Sequence, residues 1–110
     1  MKLPNCESAI VPIEKLSDYL LSLNHSVGSS KARYFRAIGF NEENIGAFKQ
    51  ALLEIAKSNQ IIDEKTSAYG VKYVVDGVIN ISGDEEIYLR TVWIVETDQT
   101  TPRFVTAYPL

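Results

Sequence analysis

The sequence holds one cysteine and one histidine among its 110 residues. A lone Cys6 excludes an intramolecular disulfide. Cys6 and His25 together are too few for a four-ligand zinc site, so neither a metal nor a cofactor is expected. Long apolar runs are also missing. Nothing approaches the roughly 20 residues of a membrane span, and the opening MKLPNCESAIVPIEK lacks the apolar stretch and cleavage site of a secretory signal. The chain therefore reads as cytoplasmic, with no membrane partner. Positive charge is short as well: 11 Lys and Arg stand against 14 Asp and Glu, for a formal net charge of -3. That balance argues against a general nucleic-acid coat protein and leaves room only for a locally basic cleft. With 6 Gly and 4 Pro, fibrous and disordered classes are excluded too.

What is present suits one folded domain over 1–110, with residues 1–11 as a possible N-terminal arm. The hydrophobic fraction of 45% and the charged fraction of 23% are those of an ordinary globular chain long enough to bury one core. VPIEKLSDYLLSL spaces Ile13, Leu16, Leu20 and Leu23 by three and four behind Pro12, which predicts a helix over 12–23. SSKARYFRAIGF predicts a short second helix, capped by Ser29 or Ser30 and ended by Gly39. NEENIGAFKQALLEIAKSN predicts a third from Asn41, with Ile45, Phe48, Leu52, Ile55 and Ala56 on one face.

After Asn59 the texture turns to β-branched and aromatic residues between turn clusters. GVKYVVDGVINI, EEIYLRTVWIVET and PRFVTAYPL read as strands, with a weaker one at QIIDEKTSA. Short links imply antiparallel neighbours. The fold class is therefore α+β, with N-terminal helices packed on one face of a three- to four-stranded antiparallel sheet.

Three places could carry chemistry. In NHSVGSSKARYF, the only histidine precedes a helix start at which Lys31 and Arg33 oppose the helix dipole. Such an arrangement makes sense if His25, Ser30, Lys31 and Arg33 face an anion such as phosphate; the alternative is a capped polar loop with solvated cations. The P-loop spacing is absent, as is the Gly-x-Ser-x-Gly of a nucleophile elbow. In YLRTVWIV, period two puts Leu89, Thr91, Trp93 and Val95 on one face and Tyr88, Arg90, Val92 and Ile94 on the other. Arg90 then either snorkels at a sheet edge or is held by a charged partner. In PRFVTAYPL, the same alternation puts Phe104, Thr106 and Tyr108 on one face. The two hydroxyls would stand about 7 Å apart, spaced to hold phosphate oxygens or simply packed across strands.

LPNCESAIV, YLLSLNHSVGSSKARYFRAIGF and LRTVWIVETDQTTPRFVTAYPL together resemble a family of small bacterial domains of unknown function. Its pattern is Leu-Pro-Asn, His-x-x-Gly-x-x-Lys-Ala, Arg-Thr-x-Trp-Ile and Val-Thr-x-Tyr, and the match spans nearly the whole chain. Members occur as free-standing proteins, some beside a short partner gene in toxin–antitoxin fashion, and as C-terminal modules. The layout is also similar to the barnase, EndoU, colicin and RelE-like group of metal-independent ribonucleases.

These resemblances imply RNA as a substrate and a small cognate antitoxin-like protein as a partner. By residue type, His25 would be a general acid or base, Lys31 and Arg90 would stabilise a phosphorane, and Thr106 and Tyr108 would position phosphate. Ser30, Arg33 and Arg103 would bind substrate. The expected function is thus a metal-independent endoribonuclease of toxin type, cleaving RNA by 2′-OH attack. A different class remains open: a non-catalytic protein–protein interaction module, with Tyr88, Trp93 and Arg103 as contacts.

Overall fold

A computed structural model of the chain describes residues 1–23, 29–80 and 86–110, with the backbone alone at 29 and 30. Its elements run in the expected order, helices first. Helix α1 (Ile13–Lys15) continues as a π-helical turn over Leu16–Leu20; α2 (Ser29–Ala37) and α3 (Ile45–Ser58) follow. Strands β1 (Ile61–Ser67), β2 (Gly70–Asn80), β3 (Glu86–Glu96) and β4 (Arg103–Pro109) form one antiparallel meander in the order β1-β2-β3-β4.

The first helix is shorter than 12–23, and its winding explains which leucines it buries. The amide of Leu21 donates to the carbonyl of Leu16 at 2.7 Å, five residues back instead of four. That extra residue brings Leu21 into the core beside Leu16 and Leu20, while Leu23, expected on the apolar stripe, is 53% exposed. The Arg36 guanidinium donates to the carbonyl of Leu21 through Nε at 2.9 Å and Nη2 at 2.6 Å, and also pairs with Glu42. One arginine thus satisfies the helix end and ties it to the loop after α2.

Ser29 and Ser30 both lie inside α2, so neither occupies the cap position expected of them. Its C-terminus follows expectation. Gly39 has φ 114°, its amide donates to the carbonyl of Arg36, and that of Phe40 donates to the carbonyl of Phe35. This pair of reversed bonds around a left-handed glycine closes a helix without a side chain. Before α3, Asn41 accepts from the amide of Glu43 and Asn44 accepts from that of Asn41, each at 2.8 Å, so the expected cap at Asn41 works as a reciprocal box.

The helices cover one face of the sheet. Phe48, Leu52, Ile55 and Ala56 of α3 meet Tyr73, Val75, Ile79, Leu89, Trp93, Phe104 and Ala107, with Phe35 and Phe40 closing the side. Gly77 permits the approach of α3, since a Cβ there would lie 2.7 Å from Ile55 and 2.8 Å from Asn59. Among the described residues, Thr91 is the polar member of this core. Its hydroxyl donates to the carbonyl of Val75 at 2.6 Å and accepts from the Trp93 indole at 2.9 Å, so both buried groups are satisfied.

Residues 1–11 run from the start of β1 to the start of β4. Ile61 donates to the carbonyl of Met1, Ile10 donates to that of Pro102, and Phe104 donates to that of Ile10, while Leu3 and Val11 are buried. Among the described residues, no helix is long and apolar enough to cross a membrane.

Candidate functional site

The face of the sheet away from the helices carries the polar side chains, and one irregularity decides which of them meet. Strand β4 slips by a residue against β3: Trp93 stands opposite Phe104, but Val92 stands opposite Thr106, so Val105 is an extra residue. Strict alternation would place Phe104 with Thr106 and Tyr108. The bulge reverses that parity instead. Phe104 turns inward with no exposure, as does Ala107, whereas Thr106 and Tyr108 fall on the outer face with Val92 and Arg90. Arg103, opposite Ile94, shares that face.

At the edge of β4 the helical layer reaches this face. The Lys31 ammonium, in the first turn of α2, donates to the Tyr19 phenol oxygen at 2.8 Å and to the Thr106 hydroxyl at 3.1 Å. Those two oxygens are themselves 3.1 Å apart. Lys31 also lies 5.3 Å from the centre of the Tyr19 ring and 5.7 Å from that of Tyr108. The half-buried ammonium is therefore held in a triangle of three elements. Lysine has three donors and no acceptor, so it spends two protons on these oxygens. One hydroxyl donates to the other, and the third ammonium proton is not taken by either oxygen. Burial raises the Tyr19 pKa, but the hydrogen bonds from Lys31 and Thr106 and the charges of Lys31 and Lys15 outweigh it, leaving the phenol below its ordinary 10.0.

Beside this triangle stands Arg90. Its Nε donates to Asp76 Oδ1 at 2.9 Å and its Nη2 to Oδ2 at 3.0 Å, across the β2–β3 pair in which the two residues are opposite. Of the two readings open for this arginine, the charged partner is the one realised. The Asp76 carboxylate raises the Arg90 pKa against the opposing effect of burial, and Tyr108, directly opposite on β4, raises it further. The fork geometry fixes the plane of the guanidinium beside Tyr108.

Of the expected site residues, Lys31, Arg90, Thr106 and Tyr108 are thus brought together. Arg33 is exposed on α2. Arg103 stands one row further along the sheet and pairs with Glu96 at 3.3 Å. His25 and the Ser30 side chain lie outside the described residues. Trp93, expected as a contact of an interaction module, is sealed in the core with no exposure and cannot touch a partner. Tyr19 and Asp76 belong to the cluster although neither was singled out from the sequence. Asp76 had a signal: a lone carboxylate between valines in VVDGV, in need of a cation, as Arg90 was in need of an anion. Among the described residues, no group of three or more His, Cys, Asp or Glu is placed to hold a metal ion.

Residues 2–110 match the family model described as a domain of unknown function, DUF6883. No curated protein gives a significant match. Among solved structures, the chain is similar to a chain of a contact-dependent growth inhibition toxin–immunity protein complex from Klebsiella pneumoniae 342. Sequence identity is 18%, the TM-score is 0.71, and the alignment covers 94% of this chain and 95% of that one. At that identity the likeness is one of fold.

Proposed function

The chain belongs to the DUF6883 family, and on that premise we propose that it is a metal-independent endoribonuclease of toxin type. The observation that supports this most is the convergence of Lys31, Thr106, Tyr108 and Arg90 from a helix and two strands on one open face, with Tyr19 completing the ammonium's cage. Such a cluster suits a phosphodiester. The 2′-OH of a ribose attacks the adjacent phosphorus and gives up its proton; the bond to the 5′-oxygen breaks, and that oxygen takes a proton. The products are a 2′,3′-cyclic phosphate and a 5′-hydroxyl. Charge on the phosphorane falls to Lys31 and Arg90, preorganised by Tyr19, Thr106 and Asp76, and such electrostatic positioning is commonly the largest catalytic contribution. The hydroxyl of Thr106 and the phenol of Tyr108 orient non-bridging oxygens. His25, six residues before Lys31 in the chain, is the proposed general acid or base, with the lowered Tyr19 phenol as its partner in proton transfer.

Purified protein incubated with transfer RNA and mixed RNA in EDTA is expected to yield cyclic phosphate ends, and His25→Ala to yield few. No cleavage, or equal cleavage by His25→Ala, removes the enzymatic reading.

The fold shared with a chain of a two-protein toxin–immunity complex favours a second reading, in which this domain is the non-catalytic partner of such a pair. Val78 and Tyr88, opposite each other and exposed on the outer face, would then be contacts. Expression in a bacterial host separates the two: toxicity relieved by Lys31→Met supports the enzyme, and benign expression supports the partner.

A further inference from the structure

The outer face carries a second basic feature that the cluster around Lys31 does not use. Lys65 of β1 stands opposite Lys72 of β2, Lys72 opposite Ile94 of β3, and Ile94 opposite Arg103 of β4. Three of four positions in one row across the whole sheet are therefore cationic, with neighbours about 4.8 Å apart. Only the last is neutralised, by Glu96; among the described residues, neither Lys65 nor Lys72 makes an ion pair. Two like charges directly opposite on an exposed antiparallel pair are unfavourable for the sheet itself. They become favourable when an anion lies over both.

The same lysines line an open hollow of about 460 Å³ together with Ser67, Tyr69 and Ile94. Tyr69, at the tip of the β1–β2 turn, is 79% exposed, so its ring rises beside the cations with no protein covering it. A cationic groove with an uncovered aromatic is the combination that holds single-stranded nucleic acid: ammonium groups track the backbone, and the ring stacks a base whatever its identity. The row runs parallel to the row of Val92 and Thr106, two residues away along β3, or about 6.8 Å. Lys72 is thus two strands across and two residues along from Thr106, about 12 Å away on the same face, and a bound strand running obliquely across the sheet would cross both.

Resting on the ribonuclease reading, we propose that Lys65, Lys72 and Tyr69 form an extended binding site for single-stranded RNA. The lysines would hold phosphates, and Tyr69 would stack a base at the end of the hollow farther from the scissile bond. The Val105 bulge also serves this arrangement, because it puts Arg103 of this row and Thr106 of the next on one face.

The test uses a fluorescein-labelled 12-nucleotide 2′-O-methyl RNA, which cannot be cleaved by internal attack, with binding followed by anisotropy between 0.05 and 0.3 M salt. Losing two phosphate contacts lowers the slope of log affinity against log salt by about 1.4, equivalent to roughly 25-fold at 0.1 M. That is the expectation for Lys65→Gln/Lys72→Gln. Tyr69→Ala should weaken binding about tenfold with the slope unchanged, the scale of one lost stack. Removing a like-charge pair should leave the double variant at least as resistant to thermal unfolding as the parent, so weakened binding cannot be ascribed to unfolding. If the parent cleaves RNA in EDTA while both variants bind the probe like the parent, the extended site is wrong and the ribonuclease reading stands. If binding depends on these residues but no RNA is cleaved, the site stands as an RNA surface and the catalytic reading falls. A parent that does not bind the probe overturns the site.

Discussion

Replacing Lys31 with Met keeps much of the stem and removes the ammonium, which tests the core of the site. A phosphorane oxygen taking the place open to the third ammonium proton would lie at about the distance of the existing contacts, 2.8 to 3.1 Å. At 3 Å one unit charge on another is worth about 1.4 kcal/mol at an effective dielectric of 80 and about 5.5 kcal/mol at 20. Lys31 is half-buried, so neither limit applies, and the middle of the range corresponds to about 10²- to 10³-fold in rate, the scale found for single transition-state donors. Cleavage of a fluorophore–quencher RNA in EDTA reads this directly, with circular dichroism confirming the fold. A second readout needs no substrate. With the ammonium gone, burial of Tyr19 meets less opposition, so its pKa must move up; the difference between the ultraviolet titrations of Lys31→Met and Lys31→Met/Tyr19→Phe isolates that phenol. A folded Lys31→Met protein that cleaves within threefold of the parent, or a Tyr19 titration that does not move up, refutes the assigned geometry.

Thr91→Val leaves the buried Trp93 indole without its acceptor. The expected cost is about 1 to 3 kcal/mol, or a Tm lower by roughly 4 to 13 °C for a chain of this length, with Thr91→Ser recovering most of it. The Tyr19 phenol predicts a pH dependence of stability. Its folded pKa lies below the unfolded 10.0, so the folded state releases this proton first. Its contribution to stability appears as pH rises through the folded value and is complete above 10.0. The gap in urea midpoint between the parent and Tyr19→Phe should therefore shift in the parent's favour as the pH is raised to 10.0, and a gap that stays constant up to that pH contradicts the assignment.

How far residues alone disclose this molecule depends on whether their spacing is regular. Helix α3 and the four strands were legible because ALLEIAKS and YLRTVWIV repeat at the periods of helix and sheet, and packing agrees with that local pattern. The first helix was legible in kind but not in phase: Leu16, Leu20 and Leu21 are buried while Leu23 and Ile13 of the expected stripe are exposed, because a π-helical turn replaces the last regular turns. Tyr19 was missed for the same reason, since its direction depends on that turn. The cluster was half legible. Lys31, Arg90, Thr106 and Tyr108 could be picked by chemical type, whereas the fact that they meet is tertiary.

The parity of β4 shows why that meeting could not be read from alternation. Phe104 and Ala107 are both fully buried and three residues apart, a separation that no regular strand can place on one face. Burying both requires one residue to be looped out, and Val105, half-buried at the bulge, is that residue. Hydrophobic packing on the inner face therefore dictates the arrangement on the outer one: with Phe104 and Ala107 both turned inward, Arg103, Thr106 and Tyr108 must all turn outward. Without the bulge, Thr106 would share the inner face with Phe104, and the Lys31 ammonium would lose one of its two hydroxyl acceptors. The site owes its geometry to the core beneath it, and the spacing of two apolar residues in FVTA is the trace of that dependence in the sequence.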